Sequence, residues 1–257
     1  MEDTPFAIDR KDLIEGLGKG LRIIEAFDDD HPRMTPSEAA ARTGLTRTAA
    51  RRYLLSLCHF GYAATDGKLF WLMPRVLRLG NSYLGAARLP RLVQPFIQRV
   101  SMASGETVNV SVLDGHEIVY IARSNSPRLV SIGFYAGARV PAHVVTPGYA
   151  ILATFSDEAL ERWIAEHHFV SFGGDDAREG ERFREAVLTT RAQGYWVTEQ
   201  LLDPGLRGIA VALRDRKGEC KGAIGMTMPI QPDSREKMVA RMLPLLQDAA
   251  TALRPML

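Results

Sequence analysis

The residues that could carry chemistry are few, and most stand in an unhelpful relation to one another. His167 and His168, beside Glu166, form the one close histidine pair in the 257 residues. Adjacent positions on a helix point about 100° apart, so a shared metal needs a third ligand from elsewhere. Asp175-Asp176, after Gly173-Gly174, reads as a loop entering a helix cap rather than as an acid/base pair of carboxylates. Asp28-Asp29-Asp30-His31 offers metal-ligating atoms, but neighbouring carboxylates in a turn are usually only solvated. Cys58 and Cys220 are the only cysteines, too few for a disulfide framework or a cysteine-rich zinc site, and no histidine neighbours Cys220. Gly16-Leu17-Gly18-Lys19-Gly20 has neither the preceding strand nor the GxxxxGK[ST] pattern of a phosphate loop. G-x-S-x-G, H-E-x-x-H and dinucleotide fingerprints are absent. The expectation is no catalysis, no cofactor and no metal, although triads can assemble from distant positions.

Charge is the chemistry that remains, and its distribution matters more than its total. The formal net charge is only +2, with 24% charged and 46% hydrophobic residues, as in an ordinary folded chain. Residues 1–32 carry four bases against nine acids, residues 33–91 ten bases against two, and residues 92–257 eighteen against nineteen. The local values are therefore −5, +8 and −1. A +8 block of under sixty residues is the footprint of a surface that faces a polyanion.

The elements needed to present that charge can be read along the block. Leu13, Leu17, Leu21, Ile24 and Phe27 recur at helical spacing, predicting an amphipathic helix over 13–27. Thr35-Pro36-Ser37-Glu38 is a capping box with proline at the first helical position; the helix ends at Arg42 or Thr43, Gly44 follows as a left-handed cap, and Thr46 opens the next helix. Two short helices across a tight glycine turn make a helix-turn-helix. On the second helix, Ala50, Tyr53, Leu54, Leu57 and Phe60 fall between about 220° and 340° from Arg47. Arg47, Thr48, Arg51, Arg52, Ser56 and His59 occupy the other half. Tyr62–Thr65 and Lys68–Leu72 around Asp66-Gly67 form a hairpin, the wing. The expected DNA contacts are Thr35 and Ser37, then Thr46, Arg47, Thr48, Arg51 and Arg52 on the reading helix, and Lys68 at the wing tip.

Beyond Pro74 a helical linker is expected over 74–90, with helix resuming after Pro90. From Thr107 the period becomes two: Val108, Val110 and Val112, the Asp114-Gly115 turn, Ile118–Ile121, and a third strand over 129–134. Helices over 147–155, 157–166 and 177–192, strands over 195–198, 208–213 and 223–228, and a closing helix over 234–253 complete an α+β pattern. The domains are thus 1–73, 74–90 and 91–257. The longest uncharged run, 140–156, is too short to span a bilayer, and MEDTPFAIDRKD has no apolar core, so a cytoplasmic location without membrane contact is expected.

Thr35-Pro36-Ser37-Glu38-Ala39-Ala40-Ala41-Arg42-Thr43-Gly44-Leu45-Thr46-Arg47, Ala49-Ala50-Arg51-Arg52-Tyr53-Leu54-Leu55, Gly61-Tyr62 and Asp66-Gly67-Lys68-Leu69-Phe70 resemble the DNA-binding domain of IclR-type bacterial regulators. Val119-Tyr120-Ile121-Ala122-Arg123, Gly137-Ala138-Arg139-Val140-Pro141-Ala142-His143, Arg191-Ala192-Gln193-Gly194-Tyr195 and Arg207-Gly208-Ile209-Ala210-Val211 resemble that family's effector domain. The wording is nearest the branch controlling β-ketoadipate and aromatic-acid catabolism. The resemblance implies a winged helix-turn-helix joined by a helical linker to a GAF-like antiparallel-sheet domain. It also implies a homodimer or dimer of dimers on a near-palindromic operator in double-stranded DNA, answering to a small carboxylic acid.

Family pocket positions map onto Ile132, Val140, Thr146, Pro147, Thr198, Gly208, Gly225 and Thr227, with Phe134 and Tyr149 beside them. Gly148-Tyr149 replaces a common Gly-Lys pair. Gly208 and Gly225 stand where small-acid binders carry Cys and Ser, which leaves more room and suits an aromatic or six-carbon acid. Chemically, an anion in an apolar pocket needs a cation or several donors: Arg123, Arg139 and His143, with Asn109, Ser111 and Thr146 as hydrogen-bonding options. The alternatives are an enzyme acting on an aromatic acid through the second domain, or a DNA binder that needs no ligand.

Overall fold

The structure is a computed structural model that describes residues 8, 9, 11–126, 134–169, 176–201 and 204–257. The chain divides into two compact units, Met1–Tyr83 and Leu84–Leu257.

The first unit holds three helices and a hairpin: α1 Glu15–Glu25, α2 Pro36–Thr43, α3 Arg47–His59, β1 Ala63–Thr65 and β2 Phe70–Leu72. Its ends are set by short-range hydrogen bonds. Thr35 Oγ1 accepts from the Glu38 amide at 3.3 Å while Glu38 Oε2 accepts from the Thr35 amide at 2.7 Å. Gly44 takes φ +68°, a left-handed conformation that costs a side-chain-bearing residue energy, and Thr46 caps α3 through the Ala49 amide at 3.2 Å. Asp66 Oδ1 accepts from the amides of Lys68 and Leu69 at 2.9 and 2.8 Å, tightening the hairpin turn. Ile23, Met34, Ala39, Ala50, Leu54 and Phe70 close the core.

Two expectations change here. The leucine stripe expected over 13–27 faces outward: Leu17 and Leu21 of α1 are exposed, as are Leu13 and Ile14 just before it. The buried side instead carries Ile23 and Ala26, and Gly16 and Gly20 lie along Tyr53 of α3. The glycine-rich stretch therefore serves helix packing. Phe60, grouped with the apolar half of α3, is 60% exposed because it sits at the helix cap, beyond the core.

Between Pro74 and Val76 the chain makes a 3₁₀ turn, and α4, Leu77–Ala86, runs across the division between the units. The next helix, α5, Arg88–Ser104, starts before Pro90, which its first turn tolerates because amides there have no helical acceptor.

The second unit is a six-stranded antiparallel sheet in the order β5-β4-β3-β8-β7-β6. Its strands are β3 Thr107–Asp114, β4 Glu117–Ser124, β5 Arg139–Pro141, β6 Trp196–Glu199, β7 Leu206–Arg214 and β8 Cys220–Pro229. The short β5 has no counterpart in the sequence reading, and the third strand expected over 129–134 lies, Phe134 apart, outside the described residues. The helices are α6 Thr146–Leu152, α7 Asp157–Glu166, α8 Asp176–Gln193 and α9 Arg235–Leu253. Helix α6 is shorter than the predicted 147–155.

Strand alternation sorts the two faces. Val108, Val110, Ile209, Val211, Ile224 and Met226 pack with Val93 and Ile97 of α5 and Met238, Met242 and Leu246 of α9. On the opposite face, Ile118, Tyr120 and Ala223 join Leu152 of α6, Trp163 of α7 and Phe183 and Val187 of α8. Along the center of that second face the residues become small or polar: Asn109 pairs with Gly225 and Gly225 with Ala210, while Thr227 pairs with Gly208 and Gly208 with Thr198. A core face lined this way leaves a gap.

Candidate functional site

In the first unit, the exposed side of α3 carries Arg47, Thr48, Arg51, Arg52, Ser56 and His59, as the helical arithmetic required. A concave surface brings together Thr35, Ser37, Arg47, Arg51 and Lys68 with Leu55 and Thr65. Helix start, reading helix and wing thus converge on one groove. Thr46, Thr48 and Arg52 lie outside it. Thr46 is occupied as the α3 cap, and Thr35 Oγ1 donates to Glu38 Oε2 at 2.8 Å. Arg33 lies over the Trp71 ring of the wing at 4.5 Å, a contact that strand β2 creates and the sequence reading did not name.

The ten bases of the basic block are not equivalent. Arg42 donates from Nε to the Ala26 carbonyl at 2.9 Å and forms an ion pair with Asp28, whose carboxylate also accepts from the His31 amide at 2.7 Å. Hydrogen bonding from His31 holds the Asp28 carboxyl below its usual range. Arg75 donates to the Phe60 carbonyl at 2.5 Å and lies over Tyr62. These two guanidinium groups hold the fold. The Asp28–His31 segment is likewise a tied turn, and among the described residues no group of three His, Cys, Asp or Glu side chains is placed to hold a metal.

In the second unit the gap on the sheet is a cavity of about 60 Å³, several times the 10–15 Å³ or so that one water needs. Of the residues named from the sequence as pocket positions, Asn109, Phe134, Thr146, Pro147, Thr198, Gly208, Gly225 and Thr227 line it. Tyr120, Val144, Val145, Leu201, Leu206, Arg207, Ile209 and Met226 also line it and were not foreseen. The phenyl ring of Phe134 stacks on Tyr120 with centroids 5.0 Å apart. Thr146 and Thr198 share a hydroxyl–hydroxyl hydrogen bond of 2.7 Å.

The expected cations are elsewhere. Arg139 lies at the surface, paired with Asp114 at 2.8 Å and Glu117 at 2.6 Å, because β5 sets it beside the β3–β4 turn. Arg123 donates from Nε to Asn125 Oδ1 at 2.6 Å and from a terminal nitrogen to the Phe134 carbonyl, so it steadies the aromatic wall from behind. His143, Val140 and Tyr149 are buried in the packing around α6 rather than on the cavity; Tyr149 donates its hydroxyl to the His143 carbonyl at 2.8 Å. Ser111 is buried on the same sheet face without lining the cavity, and Ile132 lies outside the described residues. Arg207 does line it, yet its side chain is bound to Glu199 at 2.6 Å and approaches Asp233 at 3.6 Å.

Among the residues around α6 and α7, His167 bridges two other histidines: its Nδ1 lies 3.1 Å from His116 Nδ1 and its Nε2 2.7 Å from His143 Nδ1. Burial, with His143, His116 and His168 adding like charge, lowers its pKa from 6.5 to about 3. The pair His167-His168 is therefore divided, one ring stacked on Trp163 and the other exposed.

A helix-turn-helix model described as the IclR helix-turn-helix domain matches residues 16–67, and one described as the bacterial transcriptional regulator IclR C-terminal domain matches residues 81–254. The chain belongs to the IclR family. Like other IclR-family members it is a DNA-binding transcriptional regulator. It is 35% identical to the p-hydroxybenzoate hydroxylase transcriptional activator of Acinetobacter baylyi, over 95% of this chain and 92% of that protein. It is 32% identical to the Pca operon regulatory protein of the same organism, over 97% of this chain and 91% of that protein. Its fold is similar to the crystal structure of a double mutant of the Acinetobacter PobR inducer-binding domain in complex with 3-hydroxybenzoic acid. That match has a TM-score of 0.60 and 25% identity, and covers 66% of this chain and all of that one.

Proposed function

We propose that this IclR-family regulator couples operator binding to a hydroxylated aromatic carboxylic acid, or a close product of its breakdown, held in the cavity of the second unit. The observation that carries this reading is the shape and lining of that cavity. Two glycines form part of its floor, the Tyr120–Phe134 stack forms a flat wall, and the paired Thr146 and Thr198 hydroxyls leave one O–H free to donate. A planar apolar ring with a carboxylate suits such a lining. The similarity to regulators of p-hydroxybenzoate and Pca genes, and to an inducer-binding domain that holds 3-hydroxybenzoic acid, supports the same class.

On this reading residues 1–73 grip the operator through Arg47, Arg51 and Lys68, with Arg52, Thr48, Thr46, Ser37 and Thr35 flanking them, and residues 91–257 sense the acid. The exposed apolar side of α1 supports a homodimer, which matches a near-palindromic site with two reading helices. The regulator works where its operator is, in the bacterial cytoplasm, and needs no catalytic step. The mechanism is linkage: the acid shifts the population of DNA-competent chains by no more than its differential affinity for them.

A thermal-shift titration with 4-hydroxybenzoate, protocatechuate, β-ketoadipate and muconate tests this. A saturable stabilisation of ~2.7 kcal/mol at a hundredfold excess over Kd is expected from one of them. No shift with any of the four, together with unchanged operator affinity in their presence, would leave a ligand-independent DNA binder. Consumption of the acid during incubation would point to an enzyme.

A further inference from the structure

Among the described residues, Asn109 and Arg207 line the cavity with a buried side-chain atom that makes no hydrogen bond; Arg207 has its ion pair with Glu199, and Asn109 has no such partner. Asn109 is 3% exposed, and its Oδ1 is buried without a hydrogen-bond partner among the described residues. Buried acceptors are rarely left so, because stripping water from them without replacement costs free energy. Its strand neighbours explain why nothing reaches it: Arg123 on one side is turned to Asn125 and Phe134, and Gly225 on the other has no side chain.

The threonine pair completes the pattern. Thr146 and Thr198 meet above Gly208, two strands from Asn109 and one residue pair along. Two strand spacings are roughly 9.6 Å, so the two polar features sit at separate ends of the lining. One end has a hydroxyl to donate and the other an acceptor in need of a hydrogen. A carboxylate satisfies the first; at the second it could accept from Asn109 Nδ2 but has no hydrogen to give to Oδ1, whereas a phenolic hydroxyl has one.

We infer that Asn109 is a specificity-determining residue whose Oδ1 accepts the hydrogen bond of the ring hydroxyl, so that this regulator selects hydroxylated over unsubstituted aromatic acids. The inference rests on the ligand class proposed above and assigns the group on the protein that reads the substituent. It predicts rejection of a ring that carries an acceptor or nothing at that position, because Oδ1 then stays unpaired on binding.

Calorimetric titration of the full chain with benzoate, 3-hydroxybenzoate, 4-hydroxybenzoate and 4-fluorobenzoate tests it without any variant. The better hydroxy isomer should bind ~10- to 100-fold more tightly than benzoate, and 4-fluorobenzoate, similar in size but without a hydrogen to donate, should gain nothing. In Asn109→Leu that preference should fall to within about threefold, with benzoate affinity unchanged or higher. Asn109→Ser, which keeps a small acceptor, should retain part of it. A hydroxyl preference that survives in Asn109→Leu, an equal loss of both ligands, or tight binding of 4-fluorobenzoate to the unaltered chain would each overturn the role of Asn109. Failure of every aromatic acid to bind the unaltered chain would instead remove the proposed ligand class, and this assignment with it.

Discussion

Thr146 and Thr198, 52 positions apart in the chain, join their hydroxyls at 2.7 Å directly over Gly208. A Cβ on Gly208 would lie 2.4 Å from Thr146 Oγ1 and 3.1 Å from Thr198 Oγ1. The absent side chain at Gly208 is thus what lets helix α6 and strand β6 meet over β7.

Gly208→Ala is therefore expected to push the two hydroxyls apart and cost ~1–3 kcal/mol in stability, the usual range for overpacking. Acid binding should weaken along with it, which a thermal melt with and without ligand separates. An unchanged melt and unchanged affinity would mean that α6 yields at no cost.

Arg51 and Lys68 share the groove but should answer differently to substitution. Arg51→Ala should weaken specific operator binding by ~1–3 kcal/mol, as for an arginine that reads a base edge. Lys68→Ala should weaken binding to any sequence and reduce the salt slope by about 1, as for a phosphate contact. Binding measured against salt concentration, on operator and on unrelated DNA, distinguishes the two.

Arg42→Ala gives the opposite result to Arg51→Ala. Its guanidinium holds the Ala26 carbonyl and Asp28, so its loss should lower the melting temperature while leaving the salt slope of DNA binding as it was. A lowered slope without a change in melting would move Arg42 to the DNA surface.

His167 makes stability depend on pH. Its pKa falls from an ordinary 6.5 to about 3 in the fold, so the folded chain keeps the ring neutral where the unfolded chain takes up a proton. The contribution is complete above pH 6.5 and is withdrawn as pH falls from there toward 3. The melting temperature should therefore decline between pH 7 and 5, and His167→Gln should decline less over the same interval. Parallel profiles for both chains would assign the loss to other groups.

Elements fixed by neighbouring residues were legible in the sequence. Thr35, Glu38, Gly44 and Thr46 act within three or four positions, so α2, the turn and α3 follow from local hydrogen bonds. The cavity was partly legible: Thr146, Thr198, Gly208, Gly225 and Thr227 came through family resemblance and Asn109 through its chemistry. The cations misled because a residue type does not reveal its partner. Arg139 meets Asp114 and Glu117 only through β5, a three-residue strand too short to leave a pattern of alternation. The role of His167 was hidden in the same way, since its partners stand 51 and 24 positions away while the sequence offered His168.

The outward leucines in and just before α1 carry a last consequence. A side chain of that kind gains about 1.5–3 kcal/mol when it is fully buried, and Leu13, Leu17 and Leu21 stand exposed in a single chain. If a second copy covers them, pairing is governed by mass action, and operator occupancy at low copy number climbs with nearly the square of the amount of chain. The cell then sets the switch through expression level as well as through the acid, and a modest change in synthesis has a steeper effect than the affinity of one reading helix would give.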